Sequence, residues 1–134
     1  MNDPQPDLPT PLKVLVVDAD ERVRESLAGL LGIGARCIVV GSAGHTGHAL
    51  ALMDQFKPDV IFLDIGLPVM NGYAVARALR EMPEFSHVHI AAVTGWGQDD
   101  DRQKAREAGC DSHFTKPLDP AMLEDLLATI AVGS

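Results

Sequence analysis

Four short apolar runs in this chain each end on a residue that could act on a phosphoryl group. Val14-Leu15-Val16-Val17 leads into Asp18, Val60-Ile61-Phe62-Leu63 into Asp64, Ile90-Ala91-Ala92-Val93 into Thr94, and a last run around His113 and Phe114 into Thr115-Lys116-Pro117. Two carboxylates, a hydroxyl and an ammonium are the set that a magnesium-assisted phosphoryl transfer to an aspartate requires. Strand-like runs separated by helix-like stretches bring such endings to one edge of a parallel sheet, and ligands of open α/β sheets bind outside the carboxyl ends of the strands. Two carboxylates about 4 Å apart, at an effective dielectric of about 20, repel by roughly 4 kcal/mol. A divalent cation removes that cost, and Mg²⁺ is commonly held by one or two carboxylates with several retained waters. On the same spacing Asp18 could simply cap a helix and Asp64 open a turn.

The elements that must position these residues are legible as alternating periods. Lys13 to Val17 is a continuous β-branched run, the pattern of a strand buried on both faces, and Val23, Leu27, Leu30 and Leu31 recur at helical spacing up to Gly32. Asp20 or its neighbour is expected to cap that helix. A second strand is expected over Cys37 to Val40, closed by Gly41 and Gly44, and a second helix over Thr46 to Phe56, stopped by Pro58. Val60 to Leu63 is the third strand, followed by a turn-rich Gly66 to Gly72 and a helix from Tyr73 to Glu81. His89 to Val93 is the fourth strand. Asp99 to Ala108 makes a very polar helix with Ala105 and Ala108 as its apolar residues, capped by Gly109. Asp111 to Thr115 is the fifth strand and Asp119 to Ala131 an amphipathic helix. Five strands alternating with five helices predict a parallel sheet with right-handed crossovers and helices on both faces.

The 134 residues have room for one domain, expected over 12–132, after a proline-rich lead-in of residues 1–11 expected to be disordered. A formal net charge of -8 speaks against nucleic-acid binding, which needs a basic footprint. No apolar run is long enough to span a bilayer and nothing resembles a signal peptide, so a cytoplasmic location without membrane attachment is expected. Cys37 and Cys110 fit neither a zinc nor a redox spacing and are read as small buried hydrophobes.

From about Leu12 to Val132 the chain resembles the receiver domain of two-component response regulators. The matching segments are V-L-V-V-D-A-D (Val14 to Asp20), D-V-I-F-L-D-I-G-L-P-V-M-N-G (Asp59 to Gly72), A-A-V-T-G (Ala91 to Gly95), A-G-C-D (Ala108 to Asp111) and T-K-P (Thr115 to Pro117). Their order and spacing, more than any one of them, make the likeness specific. The resemblance implies a flavodoxin-like, doubly wound sheet of strand order 2-1-3-4-5. It implies that Asp64 accepts a phosphoryl group from a histidine kinase or histidine phosphotransfer protein, that Mg²⁺ is held by Asp18, Asp64 and the backbone carbonyl of Gly66, and that Lys116 and Thr94 contact the phosphoryl oxygens. Thr94 and His113 are then the switch residues, His113 standing where receivers often place Tyr or Phe. Output is expected through a downstream docking protein, and the chain is not expected to be an enzyme in its own right. A cis Lys116–Pro117 bond is implied as well.

Two departures from the receiver pattern shape these expectations. Ala19 stands where receivers usually carry a second acid that ligates the metal directly, with Asp20 the next acid that could lean in. Binding of partners without phosphorylation is the alternative that Ala19 supports. A phosphatase using Asp64 as a turnover nucleophile lacks a general acid two residues on, where Gly66 stands. His45 and His48 are spaced as a metal pair but have no third ligand, and Trp96 could anchor a partner or lie on its own loop.

Overall fold

The computed structural model describes residues 12–18, 20–31, 37–43, 46–65, 72–95, 99–116 and 118–133. Strands and helices alternate as β1 (Leu12–Val17), α1 (Glu21–Leu31), β2 (Cys37–Ala43), α2 (Thr46–Phe56), β3 (Val60–Asp64), α3 (Gly72–Glu81), β4 (His89–Thr94), α4 (Asp99–Ala108), β5 (Ser112–Thr115) and α5 (Pro120–Gly133). A short 3-10 turn at Pro83–Phe85 precedes β4. The sheet runs β2-β1-β3-β4-β5, each neighbouring pair parallel.

Alternate residues of the central strands face different helices, as a two-residue period demands. Val14, Val16, Val60, Phe62, Ala91 and Val93 pack with Leu27 of α1 and Leu123 and Leu127 of α5. Leu15, Val17, Ile61, Leu63, Ile90 and Ala92 face the other way, onto Ala49 and Met53 of α2, Leu79 of α3 and Ala105 and Ala108 of α4. The two alanines of the polar helix are thus its buried stripe. β1 is paired with β2 on one side and β3 on the other, so the chain changes its direction of winding there, and the crevice beyond the ends of β1 and β3 is the topological switch point.

The ends of the elements follow local chemistry. Asp20 caps α1, its Oδ1 accepting the Arg22 N–H at 2.9 Å, and Asp119 caps α5 through the Ala121 N–H, with Pro120 at the first helical position. α4 ends in a Schellman pair, Cys110 N–H to the Ala105 carbonyl and Gly109 N–H to that of Arg106. Gly109 has φ of +100°, and a Cβ there would stand 2.7 Å from Cγ of Arg80, so conformation and space both demand glycine. Several boundaries shift from expectation by a residue or two, β5 beginning at Ser112 rather than Asp111 and α5 running from Pro120 to Gly133. The largest departure is β2, which continues past Gly41 to Ala43. Pairing with β1 resumes at Leu15 opposite Gly41 after a register shift, so tertiary pairing overrides the glycine as a stop. Burial pushes the Cys110 thiol up to about 11, which leaves it protonated and unreactive near neutrality. Among the described residues no helix is long and apolar enough to cross a membrane. The expectations for residues 1–11, His45, Trp96 and Pro117 lie outside the described residues.

Candidate functional site

Asp18, Asp64, Thr94 and Lys116 follow or close β1, β3, β4 and β5, and the parallel register carries them to the same edge of the sheet. Asp18 is 4% exposed. Its Oδ2 lies 2.8 Å from the Lys116 ammonium, while Oδ2 of Asp64 is 3.8 Å from the same nitrogen. One cation therefore lies between two shielded carboxylates, and the three groups together retain a net negative charge. Buried charge of that kind is costly unless compensated.

Other bonds fix the frame. The Asp20 N–H donates to Asp18 Oδ1 at 2.9 Å, the tight turn by which the chain leaves β1 for α1. Thr94, 5% exposed, sits opposite Thr115 in the β4–β5 register, and its carbonyl accepts the Lys116 N–H at 2.8 Å. The hydroxyl-bearing and ammonium-bearing residues are thus tied by the main chain. The Asp64 strand is closed by Ile65 N–H to the Val93 carbonyl and Gly72 N–H to the Ile65 carbonyl.

A divalent cation fits this donor set. Asp18 and Asp64 offer hard oxygen ligands, and among the described residues they share one ammonium at the edge where ligands bind; among the same residues no cluster of three or more His, Cys, Asp or Glu could hold a metal. Two carboxylates completed by water are Mg²⁺ chemistry rather than that of zinc. Ala19 and Gly66 lie outside the described residues. Asp20 is exposed and uses Oδ1 to cap α1, so its second oxygen is the one a metal could recruit.

His113 is half-buried on β5 opposite Ala92, on the sheet face of α2, α3 and α4, and lines a recess of about 320 Å³ with Ala105, Cys110 and Met122. His48 is exposed near the start of α2.

Two residues at the site carry no signal in hydrophobic periodicity. Arg24 of α1 donates from Nη1 to the Asp18 carbonyl oxygen at 2.6 Å. The one hint in the chain is an arginine near the start of a helix, where the macrodipole disfavours a cation. Gly72 opens α3 against the strand end: a Cβ there would lie 2.5 Å from the Cα of Ile65 and 2.7 Å from the Asp64 carbonyl oxygen. The backbone that carries Asp64 leaves room for hydrogen only.

A doubly wound parallel sheet of order 2-1-3-4-5 places the chain among the flavodoxin-like α/β folds, whose ligands bind at the switch point. Comparison narrows this to one family: residues 14–128 match the response regulator receiver domain, and the chain belongs to that family of two-component signalling. It is 37% identical over 118 residues to a probable transcriptional regulator, ycf27, of Guillardia theta, covering 88% of this chain and 44% of that one. An uncharacterized 14.6 kDa protein of Leptolyngbya boryana is 30% identical over 112 residues, covering 84% of each. Among solved structures, a putative response regulator from Chloroflexus aurantiacus superposes with a TM-score of 0.84 at 28% identity, covering 92% of this chain and 99% of that one. The chain spans about half the length of several of the curated relatives it matches.

Proposed function

We propose that this receiver domain is a phosphoacceptor switch in which Asp64 takes a phosphoryl group from a histidine kinase or a histidine phosphotransfer protein, and a downstream protein docks on the result. The observation that carries the proposal is the pair of shielded carboxylates sharing the Lys116 ammonium at the switch point. An Asp64 carboxylate oxygen attacks phosphorus, the P–N bond of the donor phosphohistidine breaks, and its electron pair leaves on the imidazole nitrogen. Mg²⁺, with Asp18, Asp64 and the Gly66 carbonyl as ligands, would supply charge neutralisation for the phosphoryl oxygens.

Lys116 adds a fixed positive charge, and Thr94 donates its hydroxyl to the attached phosphoryl group. Because the Lys116 N–H is bonded to the Thr94 carbonyl, movement of Thr94 is carried into the turn after β5, with His113 as the neighbouring switch ring. Asp64 holds its phosphoryl group rather than turning over, since Gly66 stands where a general acid would be needed. Ala19 weakens the metal site, and Ala19→Asp tightens Mg²⁺ binding. Residues 12–132 act in the cytoplasm and contact protein, not nucleic acid; the net charge of -8 disfavours a phosphate backbone. Any role in transcription, as the name of the Guillardia theta relative carries, comes through a part or partner other than this domain.

Incubation with acetyl phosphate and Mg²⁺, followed by intact mass, should show gain of one phosphoryl group. Chelation of the metal or Asp64→Asn should abolish it. No gain in the wild-type chain would favour partner binding without phosphorylation, and persistent gain in Asp64→Asn would move the acceptor elsewhere.

A further inference from the structure

Among the described residues Asp18 is held at three points, and they are not equivalent. Its Oδ1 accepts from the Asp20 N–H at 2.9 Å and its Oδ2 meets Lys116 at 2.8 Å. Both of these occupy the carboxylate and so compete with any ligand for it. The third grip is Arg24 Nη1 on the main-chain carbonyl at 2.6 Å, which restrains the residue while leaving both carboxylate oxygens to the site.

Among the described residues Arg24 has the Asp18 carbonyl as its side-chain partner. It lies one turn into α1, where the aligned peptide dipoles disfavour positive charge, and its half-buried position brings partial desolvation. A short charge-assisted bond to a carbonyl at the end of β1 compensates both. Ala19 raises the dependence on this bond, because the neighbouring position supplies no carboxylate and the site relies on where Asp18 is placed.

We propose that Arg24 is a positioning residue of the phosphoryl-transfer site: its bond to the Asp18 carbonyl sets the Asp18 carboxylate relative to Asp64, and so sets the affinity of the pair for a divalent cation. The inference rests on the assignment of Asp18 and Asp64 to a metal-assisted phosphoacceptor site. Groups that orient metal ligands without touching the ion commonly contribute ten- to a hundredfold to metal affinity.

The test is an Mg²⁺ titration of the full chain followed by the backbone amide resonances of Asp20 and Lys116, in wild type, Arg24→Met and Arg24→Lys. The rate of phosphorylation by acetyl phosphate is measured across the same metal concentrations. Arg24→Met keeps the aliphatic stem and removes the donor; its half-saturating Mg²⁺ concentration should rise about tenfold, while the rate at saturating metal stays close to wild type. Arg24→Lys, retaining one donor, should recover part of the affinity. That split between affinity and maximal rate is one that general loss of folded protein does not produce. Unchanged half-saturation in Arg24→Met, or a fall in rate and amplitude that tracks its unfolded fraction, overturns the proposal. If Arg24→Met does not fold, Arg24→Leu, which also removes the donor, takes its place, and wild-type affinity there overturns it equally. A wild-type chain that neither responds to Mg²⁺ nor gains a phosphoryl group sinks the parent assignment along with this one, whereas a responsive wild type matched by both variants sinks this one alone.

Discussion

At one end of the sheet Asp18 and Asp64 share the ammonium of Lys116; at the other, Arg80 is enclosed by acceptors. Its Nε donates to the Gly109 carbonyl at 2.8 Å, its Nη1 to the carbonyls of Ser86 and Val88 at 3.2 and 2.7 Å, and its Nη2 pairs with the Asp111 carboxylate. Asp111 Oδ2 also accepts the Ile90 N–H at 2.8 Å. Both ends place partly buried charge on the same sheet. The difference is in the partners: the Arg80 hub commits its donors to backbone carbonyls and a carboxylate and ties α3, α4, β4 and β5 together, whereas among the described residues Asp18 and Asp64 share one ammonium. A closed polar network reads as structure and an open one as a place for a ligand.

Removing the hub should separate the two ends most sharply. Arg80→Met leaves the carbonyls of Gly109, Ser86 and Val88 and the Asp111 carboxylate short of a donor, and should cost about 2–3 kcal/mol of stability in urea denaturation. The folded fraction should still accept a phosphoryl group at the wild-type rate, and a slowed reaction would show that the ends are coupled. Gly72→Ala should do the reverse. Its methyl group meets backbone at 2.5 and 2.7 Å, so about 1–3 kcal/mol of stability should go together with a slowed phosphorylation, because the displaced backbone carries Asp64. Wild-type kinetics in that variant would mean that the strand end moves without disturbing its carboxylate.

The smallest expected effect is on pH dependence. Burial holds the His89 imidazole below its ordinary value, nearby Asp111 opposes this and Arg80 adds to it, and the ring nitrogen Nε2 lies 2.7 Å from the Ser112 hydroxyl. The folded protein therefore binds a proton at His89 less readily than the unfolded chain does. This contribution is fully present above about pH 6.5 and is lost as pH falls through the lower folded value. His89→Gln should flatten the acid side of the stability profile below about pH 6.5, with the phosphorylation site untouched. An unchanged profile would assign that slope to other groups.

Much of this organisation is legible in the amino-acid sequence itself. Asp18, Asp64 and Thr94 each follow or close an apolar run of the kind buried on both faces of a parallel sheet, and Lys116 follows the mixed strand Ser112–Thr115, so their positions in the chain indicate their place at the sheet edge. The rest depends on contacts distant in sequence. Arg24 looks like an ordinary polar helix residue until the Asp18 carbonyl is placed beside it, and the Arg80 hub joins residues from 80 to 111 that share no local pattern. Gly41 reads as the end of β2 because glycine punctuates a strand, yet pairing with β1 holds the strand through Ala43.

The central claim is that Asp64 carries the phosphoryl group, and trapping the acyl phosphate tests it most directly. After reaction with acetyl phosphate and Mg²⁺, borohydride reduction and peptide mapping should find Asp64 converted to homoserine and Asp18 and Asp20 intact. Reduction at Asp18 or Asp20, or a phosphoryl group recovered on His48 with Asp64 unmodified, would contradict it.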